Sequence, residues 1–120
     1  MIRIKRTYEP AARGDGRRLL VERLWPRGMK KGEVHAAAWI KDVAPSTDLR
    51  TWYGHRPERW REFRSRYLRE LRANKAAWAP ILAMATRRNV TLLYAAHDEL
   101  HNGALVLRDF LQRRVRRRKR

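Results

Sequence analysis

The sequence predicts a small single-domain α/β protein, a few-stranded sheet packed with four or five helices. Three observations predict it. Two short strand-like runs open the chain, Ile2-Arg3-Ile4-Lys5 and residues 18 to 24. A short apolar run, Val90-Thr91-Leu92-Leu93-Tyr94-Ala95-Ala96, stands near its end. Apolar residues recur at helical spacing between and after them, and such a mixed order belongs to the α/β class. The length of 120 residues suits one domain.

Each element has its own signal. Ile2 and Ile4 alternate with Arg3 and Lys5, as in a half-buried strand. Pro10 to Gly16 reads as a loop. The second strand runs into Trp25-Pro26-Arg27-Gly28, a tight turn with proline expected at its second position and glycine at its fourth. Residues 29 to 33 form a basic connector. Ala36, Trp39, Ile40 and Val43 fall at i, i+3, i+4 and i+7, which predicts a short amphipathic helix over 34–43. Pro45 ends it, because the residue before proline avoids helical angles. Ser46 or Thr47 caps a second helix over 47–53, and Gly54 closes that one.

Pro57 opens a longer helix with Trp60, Phe63, Tyr67 and Leu71 on one face and charged residues on the other. Asn74 and Pro80 mark a break, and the next helix carries Trp78, Ile81, Leu82 and Ala85 with Pro80 in its first turn. Helical spacing makes Trp39, Trp60, Phe63, Tyr67 and Trp78 core residues. The run from Val90 to Ala96 reads as a strand buried on both faces. A polar turn, His97 to His101, leads into a last helix over 104–111. The domain thus covers residues 1–112. A basic tail, residues 113–120, is expected to be disordered or a frayed helix, since like charges repel.

Composition narrows the function. There is no cysteine, which removes disulfides, thiol catalysis and Cys-based metal sites. No run approaches the roughly 18 apolar residues of a membrane span, and the N-terminus lacks the apolar core of a signal peptide. No membrane partner and a cytoplasmic location are therefore expected. The net charge is +18, from 30 basic and 12 acidic residues. Seven of those charges are the tail's Arg113, Arg114, Arg116, Arg117, Arg118, Lys119 and Arg120; subtracting them from +18 leaves +11, so the body is basic too. Such a field favours polyanions. Arginine outnumbers lysine 24 to 6, which a GC-rich genome also produces.

Two stretches could carry chemistry. His97-Asp98-Glu99-Leu100-His101-Asn102 follows a buried strand and precedes a helix, where open α/β sheets place ligand sites and a helix N-terminus offers donors to an anion. Asp98 there equally suits a helix cap. The same residues spell His-Asp-x-x-His, one residue from a zinc-protease pattern. The strand before it, Gly103 after it and the lack of a third ligand count against a metal. Leu49-Arg50-x-Trp52-Tyr53-Gly54-His55 places an arginine and a histidine beside two aromatic rings, and a histidine is the side chain suited to act as acid or base near neutral pH.

Taken together, Arg23 to Gly28, Trp39 to Ser46, Leu49 to His55 with Pro57, and Thr91 to Ala96 with Asp98, His101 and Asn102 make the chain resemble the YeaO-like family of small bacterial proteins. That family lies within a larger one of unknown function. The likeness runs from Ile2 to about Leu111 and leaves the basic tail outside it. It implies a compact α/β fold in a cytoplasmic bacterial protein, and no activity. Some distant relatives carry cysteine in the last strand and loop; this chain has none. His97 stands where arginine or lysine is expected.

Two functions follow. In the first, an anionic ligand, phosphate-bearing or carboxylate, sits between the Trp-Pro-Arg-Gly turn and the last strand-to-helix loop. Arg23, Trp25, Arg27, Arg50 and Asn102 would bind it, and His55 and Asp98 would be the acid and base if there is a reaction. No cofactor and no metal are called for. In the alternative, the basic surface and arginine tail bind nucleic acid.

Overall fold

A computed structural model describes residues 1–118. Its sheet has four strands, all parallel: β1 (Ile2–Arg6), β2 (Arg17–Leu20), β3 (Ala38–Trp39) and β4 (Val90–Tyr94). The order across the sheet is β1-β4-β2-β3. The central strand β4 pairs Ile2↔Val90 on one side and Arg17↔Val90 on the other. All five of its residues are buried, as expected of a strand covered on both faces.

The two faces differ in thickness. α3 (Trp60–Arg72), α4 (Lys75–Ala85) and α5 (Gly103–Arg118) pack on one face. Ile2, Leu19, Val90, Leu92 and Tyr94 point there, into the main core with Phe63, Tyr67, Trp78, Ile81, Leu107 and Leu111. Successive side chains of a strand alternate sides. Leu20 and Leu93 therefore face the other way, where Val34, Trp25 and Met29 cover them in a much smaller cluster. α1 (Lys31–Val34) and the loops before it form that thin cover.

The thin side is held by polar bonds. The Asp15 carboxylate accepts from Lys5 Nζ at 3.0 Å, Arg18 Nη1 at 2.6 Å and the Ala12 amide at 3.0 Å. Thr91 donates its hydroxyl to the Asp15 carbonyl at 2.7 Å. Arg18 also donates to the Val34 and His35 carbonyls. Gly16 is essential beside it: its φ is 62°, and a Cβ there would stand 2.1 Å from the Asn89 carbonyl oxygen.

Several expectations shift. Residues 34–43 are not one helix. α1 ends at Val34, β3 follows, and a 3-10 turn covers Lys41–Val43. The helical period there loses to strand pairing, since Ala37 and Ile40 donate to Arg18 and Leu20 carbonyls. Trp39 is consequently not core: it is 37% exposed, and its indole donates to the Glu22 carbonyl. α2 (Thr47–Tyr53) has Ser46 as its cap and Gly54 in the left-handed region, as expected. Pro57 starts a short 3-10 turn that leads into α3. Pro80 falls in the second turn of α4, on its exposed side, because the helix begins at Lys75. The turn after β2 is also shifted by one residue: Met29 donates to the Pro26 carbonyl, and Gly28, with φ of 79°, takes the third position.

α5 is longer than its apolar period suggested. It continues to Arg118, with Val115 only 2% exposed, so residues 113–118 are helical rather than a separate tail. Basic residues at a helix C-terminus favour it through the helix dipole. Lys119 and Arg120 lie outside the described residues.

The fold depends on pH through Asp15. Burial alone would raise its pKa, but hydrogen bonds from Lys5, Ala12 and Arg18 outweigh that and lower it to about 2. Because the folded value lies below the ordinary one, the stability from ionised Asp15 is present above about pH 4 and is lost as pH falls toward 2. Asp15→Asn should cost about 3 kcal/mol at pH 7, since it strands the buried Arg18 guanidinium and removes the partner of the half-buried Lys5. It should also flatten the pH dependence below 4. Denaturant titrations of both proteins from pH 2 to 7 measure this, and parallel curves would refute it.

Candidate functional site

All strands run the same way, so the loops after β1, β2 and β4 emerge at one edge of the sheet. The sequence-predicted residues Arg23, Asp98 and Asn102 lie in these loops, and Arg50 of α2 lies near Glu22 of the loop after β2. Most of their polar groups are bound to the protein itself. Arg23 Nε donates to the Pro45 carbonyl at 3.0 Å and Nη2 to the Ala44 carbonyl at 3.3 Å. Glu22 accepts from the Ala95 amide at 3.1 Å, just past β4. Burial raises the Glu22 pKa, opposed by that amide and by the nearby Arg50 charge. Arg50 Nε is itself buried without a hydrogen-bond partner.

The loop between β4 and α5 is organised by capping. Asp98 Oδ1 accepts from the Leu100 amide at 2.9 Å and the His101 amide at 3.0 Å, and Oδ2 lies 2.9 Å from His101 Nδ1. Burial opposes ionisation of Asp98, but these bonds prevail and hold its pKa below the ordinary carboxylate value. Asn102 is 4% exposed. Its side-chain Oδ1 caps α5 by accepting from the Leu105 amide, and its Nδ2 donates to the Asp98 carbonyl. The Tyr53 hydroxyl donates to the His101 carbonyl at 3.1 Å, which ties α2 to this loop. Pro45 presses on Gly103, where a Cβ would come within 3.2 Å.

The remaining predicted residues lie apart. Trp25 packs in the small cluster on the thin side, edge-on to Trp39 at 5.3 Å, with its indole donating to the Met29 carbonyl. Arg27 is exposed, and its carbonyl accepts from the Tyr8 hydroxyl. His55 is exposed with φ of 56°, at the turn after α2. His97 Nδ1 faces Arg6 Nη2 at 3.2 Å, while Arg6 Nε donates to the Ala96 carbonyl. Among the described residues no three His, Cys, Asp or Glu side chains gather as metal ligands.

A second surface combines charge with concavity. A groove of about 220 Å³ runs between α3 and α5, lined by Arg64, Arg72, Arg113, Arg114 and Arg117 over Leu68, Val106 and Phe110. Its one acid, Asp109, accepts from Arg108 at 3.1 Å. Among the described residues none of the five groove arginines forms an ion pair. A second groove on the other flank of α5 is lined by Lys75, Trp78, Leu82, Arg114, Arg117 and Arg118. Arg114 is the shared pivot. It stacks 3.5 Å from the Phe110 ring centre and donates to the Phe110 carbonyl. Desolvation, then the charges of Arg117 and Arg72, depress its pKa. Unpaired cations held this close favour an anion among them.

The sequence pointed to Arg113, Arg114, Arg116, Arg117 and Arg118 as a flexible tail and passed over their partners. Arg64 and Arg72 looked like the solvated face of α3. Their spacing with Leu68, i, i+4, i+8, was the available signal, since it places them on one stripe.

Comparison with known proteins follows the same chain. The family description "Inactive DUF488-N3 subclade" matches residues 1–120, including the basic end that the motif likeness left out. An uncharacterised protein of Mycobacterium tuberculosis is 42% identical over 113 residues, covering 94% of this chain and 95% of its own. A protein of Mycobacterium bovis matches equally. The uncharacterised protein YeaO of Escherichia coli is 40% identical over 111 residues, covering 92% of this chain and 96% of its own. No solved structure matches the chain.

If the edge is held by caps, Asn102→Ala should destabilise the protein by about 1–2 kcal/mol, while His55→Ala at an exposed turn should change it by less than about 0.5 kcal/mol. Thermal melts compare the two. Equal shifts would contradict the structural role of Asn102.

Proposed function

Because the chain belongs to the inactive DUF488-N3 subclade, we propose that it is a non-catalytic protein that binds nucleic acid through phosphate. The observation that carries this reading is the groove between α3 and α5, where five arginines face one another and the only acid is already engaged. Guanidinium groups suit phosphate because their planar donors match its oxygens and remain charged at any physiological pH. The net charge of +18 adds a long-range field that draws polyanions to this face. No helix among the described residues is long and apolar enough to cross a membrane. We place the protein in the cytoplasm, in contact with nucleic acid.

An anionic ligand at the sheet edge has less support. Arg23 is committed to two carbonyls, Trp25 and Arg27 stand away from Asp98, and the carboxylates of Glu22, Asp98 and Glu99 oppose an anion there. His55 and Asp98 share no contact that would make them an acid–base pair.

Binding by phosphate contact must weaken with salt, with log K falling by about 0.9 per phosphate neutralised on a duplex. Arg113→Ala/Arg117→Ala should reduce that slope by about 1.8 and weaken binding roughly tenfold. Fluorescence anisotropy with a labelled oligonucleotide over a salt series reads both. Unchanged slope and affinity in the variant would remove the groove from the function.

A further inference from the structure

The two grooves beside α5 and the state of the aromatic rings around them carry the reading further. We propose that the ligand of this face is double-stranded nucleic acid, gripped by the phosphates of both strands and read without regard to base sequence. This rests on the nucleic-acid reading above and adds the form of the ligand.

The first observation is the doubling of the site. Arg64 and Arg72 line the α3 flank of α5, and Lys75 lines the α4 flank. Arg114 and Arg117 border both grooves, and Arg118 joins the second. The two sets of cations thus flank one helix, whose diameter with side chains is about 10–12 Å. A duplex offers two phosphate rows across its major groove, which is about 12 Å wide. A single strand offers one row.

The second observation is that the rings are occupied. Proteins that hold single strands present aromatic faces on which bases stack. On this side Trp78 and Phe110 are only 6% and 5% exposed, and the Arg114 guanidinium lies over both, at 5.2 and 3.5 Å from their centres. Trp52 lies under Arg59 and Arg66, at 5.0 and 4.4 Å. Trp60 packs against Phe63 and His101. The exposed rings, Tyr8 and Trp39, belong to the loop after β1 and to the far edge strand β3. The cationic face therefore offers guanidinium groups and no free ring, which suits a stacked duplex whose bases are turned inward.

The whole chain is titrated against a duplex of roughly 20 base pairs, a duplex of shuffled sequence and each separated strand, at matched phosphate concentration and several salt concentrations. The expected result is duplex binding at least about tenfold tighter than either strand, with equal affinity for the shuffled duplex. Arg64→Ala/Arg72→Ala and Lys75→Ala/Arg118→Ala should each weaken duplex binding and each lower the salt slope by about 1.8. Circular dichroism melts of both variants confirm that they fold. Strands that bind as tightly as the duplex, a preference for one sequence, or a slope that responds to only one flank would overturn the inference and leave phosphate binding standing. A chain that binds neither form at low salt would overturn both.

Discussion

The Asp15 carboxylate is the contact on which the thin side of this protein depends. It joins Lys5 of β1, Arg18 of β2 and the Ala12 amide, and the Asp15 carbonyl receives Thr91 of the central strand. Three of the four strands are thereby tied at one residue. Arg18 extends the tie to the end of α1, which brings the chain back to form β3. The small cluster of Leu20, Val34 and Leu93 could not by itself cover a parallel sheet. Fully satisfied ionic bonds do there what a layer of helices does on the other face. Gly16 follows Asp15 because only a residue without Cβ can pass the Asn89 carbonyl.

The same economy explains the edge at the ends of the strands. A parallel sheet leaves its strand ends and the N-terminus of the following helix with unpaired backbone groups. In this protein Glu22, Asp98 and Asn102 satisfy them after β4, and Arg23 binds the carbonyls of the turn before α2. Tyr53 and Pro45 then hold α2 and its preceding turn against the start of α5. Polar residues at this edge are therefore largely structural, even though the edge is where ligand sites of such folds gather. Arg50 is the exception, with its Nε buried and unpaired beside Glu22.

On the helical face the situation is reversed. Arg114 is anchored by stacking on Phe110 and Trp78 and by its bond to the helix carbonyl. Desolvation there lowers its pKa, and the nearby charges of Arg117 and Arg72 lower it further. The apolar stems of these side chains extend the core outward while the charged ends remain at the surface. The end of α5 is thus both a buttress of the core, through Val115, and the most basic part of the surface.

Much of the fold was legible in the sequence. The alternation at Ile2 and Ile4, the apolar run at Val90, the Ser46 cap with Gly54, and the ring stripe from Phe63 to Tyr67 each report a local preference, and local preferences survive folding. The family was legible too, in the motifs around Trp25, Trp39 and Tyr53. Residues 34–43 were not legible, because β2 offered their backbone a partner that no helical period reveals. The tail was misread for a related reason: repulsion along Arg113–Arg118 is a local property, whereas the burial of Val115 and the ring beneath Arg114 belong to the packed helix. By itself the sequence determined the class, the charge and the order of elements outside residues 34–43. The tertiary structure alone decided which arginines are consumed by backbone carbonyls and which stand together unpaired, because that depends on distances between segments far apart in the chain.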